Sequence, residues 1–278
     1  MRRLPGIALA LLWAATGAFA GPSRVVSMNL CTDQLAMLLA APGQLASVSY
    51  VARDTRASAM ADVAMAYPVN HGLAEEIYLL QPDLVIAGAY STRATTDMLR
   101  RLGVPVVVFE PANALEDVRD RILRMGEVLD REEAARALLA DYDRRLKQLE
   151  HAGPDAPRAA LYAANGFTSG SRTLAGQILR AAGLRNVADE LGFGGSGHMP
   201  LEVLALSAPD LLVATSPYPR ASRSEENLAH PVVRHLAARS GAGQIRDADW
   251  VCGTPYVLRA VEALAAERRQ FVAQEDRK

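Results

Sequence analysis

The chain has 278 residues, half of them hydrophobic and 22% charged, with a formal net charge of -1 at pH 7. That length admits one large domain or two lobes of roughly 100 residues, each able to bury a core. The composition excludes a disordered chain, and the balanced charge excludes a nucleic-acid binder, which carries a basic excess.

The first residues, "MRRLPGIALALLWAATGAFA", place Arg2 and Arg3 before an apolar run from Ile7 to Trp13 and end on Ala18-Phe19-Ala20. This is the pattern of a secretory leader cleaved near Ala20, too short for a membrane span. No cysteine follows the cleavage point, so no lipid anchor is expected there. Cys31 and Cys252 are the only cysteines. In an oxidising compartment they either pair or stay as two buried thiols, and sequence leaves both open.

From Arg24, "RVVSMN" reads as a strand, "CTDQLAMLLAAPG" as a helix, "LASVSY" as a strand, and the residues through Arg53 and Arg56 as a polar loop. "EEIYLLQ" is helical until Pro82, and "DLVIAGA" is an apolar, β-branched run of the kind buried in parallel sheets. "TRATTDMLRRLGV" and "VPVVVFE" continue the alternation, which predicts an α/β fold with a parallel sheet covered on both faces.

Strand patterns then stop. "LEDVRDRILRMGEVL" is one helix, and Asp130 with Glu133 predicts a capping box for a second, "REEAARALLADYDRRLKQLE". About 20 residues would span about 30 Å, long enough for a stiff rod between two lobes. After "HAGPDAP" the alternation resumes, so the chain divides into an N-terminal lobe (21–128), an interlobe helix (129–152) and a C-terminal lobe (153–278).

One unit is written twice: "EEIYLLQPDLVIAGAY" from Glu75 and "LEVLALSAPDLLVATSPY" from Leu201. Glu75 precedes Pro82, and Glu202 precedes Pro209, by the same interval of about two helical turns. Each carboxylate therefore starts a helix, where the dipole favours negative charge. Two equivalent acidic knobs suit docking onto a symmetric basic partner.

With "RVVSMN", "NGFTSGS" and "ADWVCGTPYVLRAVEAL" added, essentially the whole mature chain resembles the periplasmic substrate-binding proteins of ABC importers for vitamin B12 and ferric siderophores, which have a single-helix hinge. The resemblance implies two α/β lobes with a ligand cleft between them. It also implies that Glu75 and Glu202 meet arginines of an inner-membrane permease dimer. The expected protein is a periplasmic monomer that captures a metal chelate, a cobalamin or a ferric siderophore, without catalysis and without a cofactor or protein-bound metal of its own.

Ligands of open α/β sheets bind beyond the carboxyl ends of the strands. The loops there supply Asn29, Cys31, Tyr50, Arg53, Tyr90, Arg93, Phe167, Tyr218, Trp250 and Tyr256 as candidate contacts. Aromatic planes with a few fixed polar groups suit a bulky chelate. Arg53, Arg93 and Arg220 lean towards an anionic siderophore, while "GFTSGS" and "ADW" look closer to the vitamin B12 binders.

Two other classes are weighed. His71 and His198 precede the repeated helices and suggest a binding protein for a bare zinc or manganese ion, but no H-x-H or H-x-x-H tract supports it. An exported hydrolase is more remote, because "NGFTSGS" lacks the nucleophile-elbow pattern. "GFGGSG" matches G-x-G-x-x-G without leaving a strand, and reads as a flexible loop ahead of Pro200.

Overall fold

A computed structural model describes residues 21–149, 156–215, 222–240 and 242–277. The expected leader, the end of the predicted interlobe helix (150–152), Tyr218 and Arg220 lie outside the described residues. The first half runs β1 (Val25–Ser27), α1 (Leu30–Leu39), β2 (Leu45–Ser49), α2 (Ala61–Ala64), β3 (Val69–Asn70), α3 (Ala74–Leu79), β4 (Leu84–Gly88), α4 (Arg93–Arg101) and β5 (Val106–Phe109). Two helices follow, α5 (Leu115–Leu129) and α6 (Glu132–Leu149). The second half begins with β6 (Arg158–Tyr162), β7 (Phe167–Ser169), α7 (Leu174–Ala181), β8 (Arg185–Asn186), α8 (Val187–Glu190) and β9 (Ser196–His198). It ends with α9 (Leu201–Ser207), β10 (Leu211–Thr215), α10 (Pro231–Ser240), β11 (Ala242–Ile245), α11 (Asp247–Trp250) and α12 (Val257–Glu275).

Nine strands form two parallel sheets, β3-β2-β1-β4-β5 and β11-β10-β6-β8, while β7 and β9 form a separate antiparallel pair. The second repeats the order of the first, with β8, β6, β10 and β11 standing where β2, β1, β4 and β5 stand. Strands such as β4, buried at every position, are apolar throughout because helices cover both faces.

The core divides accordingly. One apolar cluster lies under α3 and α4 on the outer face of the first sheet (Val26, Ile77, Val85, Leu99). A second lies under α9 and α10 on the outer face of the other (Ala160, Leu204, Leu212, Val233). The third is shared: Leu35 and Ile86 of the first half, Ile122 and Tyr142 of the middle helices, and Ile178 and Val261 of the second half form one continuous cluster.

The middle helices explain that continuity. Arg119 of α5 pairs with Asp143 of α6 at 2.6 Å, and Tyr142 Oη donates to the Leu115 carbonyl at 3.4 Å, so the two pack antiparallel. Asp130 does not cap α6; at φ 57° it closes α5 in the left-handed region. The start of α5 meets the second half, Leu115 N–H donating to Gln177 Oε1 of α7 at 2.8 Å. Its end meets the first, Gln44 Nε2 donating to the Leu129 carbonyl at 2.8 Å. Helix α6 is thus one member of a paired spine. Its apolar stripe (Ala135, Tyr142, Leu146) is buried because a helix with such a stripe needs a partner.

The repeated unit proves to be a cassette that fixes a helix on a sheet. Asp83 accepts the N–H groups of Ser23 and Arg24 at the start of β1 (2.7 and 3.0 Å), and Asp210 accepts the N–H of Arg158 at the start of β6 (2.8 Å). In return Arg24 donates to the Leu80 carbonyl, and Arg158 donates to that of Ser207, at the ends of α3 and α9. Both copies leave the helix through a left-handed residue before the proline, Gln81 at φ 50° and Ala208 at φ 42°. The Pro-Asp pairs are structural, and Glu75 and Glu202, each in the first turn of its helix, are both exposed.

Candidate ligand-binding site

The chain leaves β1 to one side of its sheet and returns on the other, and it does the same at β6. Such switch points open a crevice at the carboxyl ends of the strands. At the first, Asn29 caps α1, its Oδ1 accepting the Cys31 N–H at 3.1 Å. Cys31 is bridged to Cys252, the Cα atoms 5.0 Å apart, which answers the question that sequence left open. Beside the bridge, Thr254 Oγ1 donates to Gln34 Oε1 at 3.4 Å in a buried contact. Gly253 lies so close to Ala112 that a Cβ there would come within 2.0 Å of it. The floor of the crevice is therefore a covalent and packed seam between the two halves.

At the second switch point, Phe167, Trp250, Leu161, Tyr162, Val213 and Ile245, with Thr168 and Ser169, line a cavity of about 130 Å³. Small-molecule pockets usually hold about 300–1,000 Å³, so this cavity is smaller than a typical whole-ligand pocket. Phe167 is 52% exposed and free to meet a ligand. Trp250 is held by a hydrogen bond from its Nε1 to Asp247 Oδ1 at 3.2 Å. The Thr168 hydroxyl, in a residue 2% exposed, is closed off from this cavity and meets no protein partner; along β7 it stands on the face opposite Phe167.

The wall that carries Phe167 and Thr168 is braced from behind. Strand β7 pairs antiparallel with β9, Thr168 opposite Gly197. The glycine-rich segment expected as a flexible loop is thus partly a strand. Gly170, just after β7, lets that segment approach closely: a Cβ there would lie 1.7 Å from the Phe193 carbonyl oxygen.

The other candidates do not line this cavity. Tyr50 stacks on His71 with ring centroids 5.3 Å apart, and His71 Nδ1 lies 3.2 Å from Glu76 Oε1. Arg53 is spent inside its own lobe, donating to the carbonyls of Tyr67 (2.6 Å) and Ala64 (3.4 Å). Tyr90 and Arg93 stand exposed beyond β4, and Tyr256 lies under the Arg259 guanidinium, 4.3 Å from its ring centre. Among the described residues no group of three or more His, Cys, Asp or Glu side chains is gathered to hold a metal ion.

Sequence reading passed over Leu161, Tyr162, Val213 and Ile245, since apolar strand ends look like core. It also passed over Asp33, fully buried in the first turn of α1, where it accepts from Ser49 Oγ (2.5 Å) and Ser49 N–H (3.2 Å) and ties α1 to β2. Burial pushes its carboxyl up to about 6, against the pull of the Ser27 and Ser49 hydrogen bonds. A carboxyl with a folded pKa above its unfolded one binds more protons when folded between about pH 4 and 6, so its contribution to stability falls as pH rises through that window. Urea unfolding of the protein and of Asp33→Asn is therefore expected to differ in its pH dependence. The stability of wild type relative to the variant should rise by about 2 kcal/mol from pH 7 to 4.5. Parallel pH curves would refute the assignment.

Comparison with known proteins agrees with this architecture. The periplasmic heme-binding protein RhuT from Roseiflexus sp. RS-1, in apo form, superposes with a TM-score of 0.69 at 18% identity, covering 89% of this chain and all of that one. The vitamin B12 binding protein BtuF of Vibrio cholerae superposes with a TM-score of 0.64 at 18% identity, covering 90% and 98%. In sequence, a cobalamin-binding protein of Halobacterium salinarum is 26% identical over 224 residues, 78% of this chain, which spans only 61% of that relative's length. The periplasmic binding protein model matches residues 25–242, from the first strand of one sheet to the last strand of the other. Two parallel sheets of one design, a helical spine and a crevice at their switch points are thus the form that this chain takes as a member of the periplasmic binding protein family.

Proposed function

We propose that the protein is the periplasmic binding component of an ABC importer and that it captures a corrinoid, delivering it intact to an inner-membrane permease dimer. In this reading the leader is removed near Ala20, and the mature monomer presents two lobes, 21–128 and 153–278, about the α5–α6 spine. Glu75 and Glu202 dock on the permease, and no bond of the ligand is made or broken. The observation that carries it is the apolar cavity walled by Phe167 and Trp250 at the carboxyl ends of β6, β10 and β11. It suits the apolar rim of a bulky macrocycle. The match to a cobalamin-binding protein supports the choice. So does the engagement of Arg53 with two carbonyls, which leaves fewer cations for an anionic ferric siderophore. The shared core and the Cys31–Cys252 bridge favour a largely preformed site with little closure.

Calorimetric titration of the mature chain with cyanocobalamin is expected to give saturable 1:1 binding below micromolar concentration. Hemin and a ferric hydroxamate run in parallel decide the chelate class. Saturation by either of these and not by cyanocobalamin would reassign the cargo, and silence with all three would overturn the chelate reading.

A further inference from the structure

The repeated helices share more than their glutamates. One turn after Glu75 on α3 stands Leu79, and one turn after Glu202 on α9 stands Leu206. Side chains four apart lie on one helix face, so each acid has a leucine beside it. Leu79 is 80% exposed and Leu206 86%; among the described residues only Tyr90 is a large apolar side chain more exposed than these. A lone exposed leucine needs no explanation. Two in the same register of two equivalent helices, each next to an acid, form a matched set.

Neither leucine serves the core. Helix α3 holds its sheet through Ala74 and Ile77, and α9 through Leu204, each on its sheet's outer face. The Arg24–Asp83 and Arg158–Asp210 cassettes fix on their sheets the helices that carry both the glutamates and the leucines.

We propose that each docking knob has two parts, and that its occupant is a two-fold partner offering, on each half, a cationic side chain beside an apolar socket for the leucine. The proposal rests on the reading that Glu75 and Glu202 face the permease dimer. The acids supply long-range attraction, which salt screens, and the leucines supply desolvated contact, which salt does not weaken.

The test uses the importer that takes up the chelate bound in the titration above, held in lipid nanodiscs, with binding of the full mature protein measured at low and high salt. Leu79→Ser with Leu206→Ser is expected to weaken binding roughly tenfold or more at both salt levels, with ligand affinity and melting temperature unchanged. Leu79→Met with Leu206→Met should restore it. Glu75→Gln with Glu202→Gln should weaken it mainly at low salt. If the glutamine pair weakens binding and the serine pair does not, the bipartite knob is wrong and the docking reading stands. If neither pair has an effect, the docking reading falls with it. A dimer of the free protein that the serine pair abolishes, with importer binding intact, would assign the leucines to self-association and overturn the proposal.

Discussion

Replacing Cys31 and Cys252 together by serine is expected to cost up to about 5 kcal/mol of stability and about 10 °C of melting temperature. The bridge joins residues 221 apart in sequence, and the loop-closure entropy that it removes from the unfolded chain grows with the logarithm of that separation. With no third cysteine in the chain, the oxidised protein has no competing pairing. Calorimetry with and without reductant should move the wild-type midpoint to that of the double variant. Two titratable thiols in the native, unreduced protein, or midpoints within a degree of each other, would show that the bridge does not carry this load. The function should survive the loss. Thr254 with Gln34, and Gly253 against Ala112, hold the same seam without the bridge, so ligand affinity at 25 °C is expected to change less than tenfold.

That bridge also marks where the sequence stops being legible. Alternation of apolar strands and amphipathic helices gives most of the first parallel sheet and the two central strands of the second, β6 and β10, because burial on both faces imposes a local composition. The repeat is legible for the same reason, down to the glutamates at its helix starts. The pairing of Cys31 with Cys252 is not, since a Cα separation is a tertiary quantity. The short strands β3, β7, β8, β9 and β11 are missed because two to four residues carry no clear period. The spine shows a subtler limit: length singled out 129–152 as a rod, whereas the apolar stripe of α6 called for a partner, which α5 supplies. At the site, Phe167 and Trp250 are legible as aromatics in loops and meet at one cavity, while Leu161, Val213 and Ile245 are indistinguishable in sequence from core. The candidate Arg53 is legible as a loop cation, but its hydrogen bonds to Ala64 and Tyr67 are fixed by the path of a loop that no pattern encodes.

Phe167→Ala is expected to weaken ligand binding by one to two orders of magnitude while leaving the melting temperature unchanged. The ring is half exposed in the free protein, so folding gains little from it, whereas a ligand seated in the cavity would cover the other half. Roughly 100 Å² of newly buried aromatic surface corresponds to about 2.5 kcal/mol. Thr168→Val is the internal control. The buried hydroxyl meets no protein partner, and a buried polar group without one costs stability. It is closed off from the cavity and stands on the face of β7 opposite Phe167. The valine variant should therefore melt at the same temperature or higher and bind its ligand as wild type does. If Phe167→Ala binds as wild type does, the ligand does not enter the cavity between β6, β10 and β11. If Thr168→Val lowers ligand affinity, the hydroxyl belongs to the site and not to the fold alone. Loss of affinity in Phe167→Ala and not in Thr168→Val, with stability held, ties the apolar wall to the ligand.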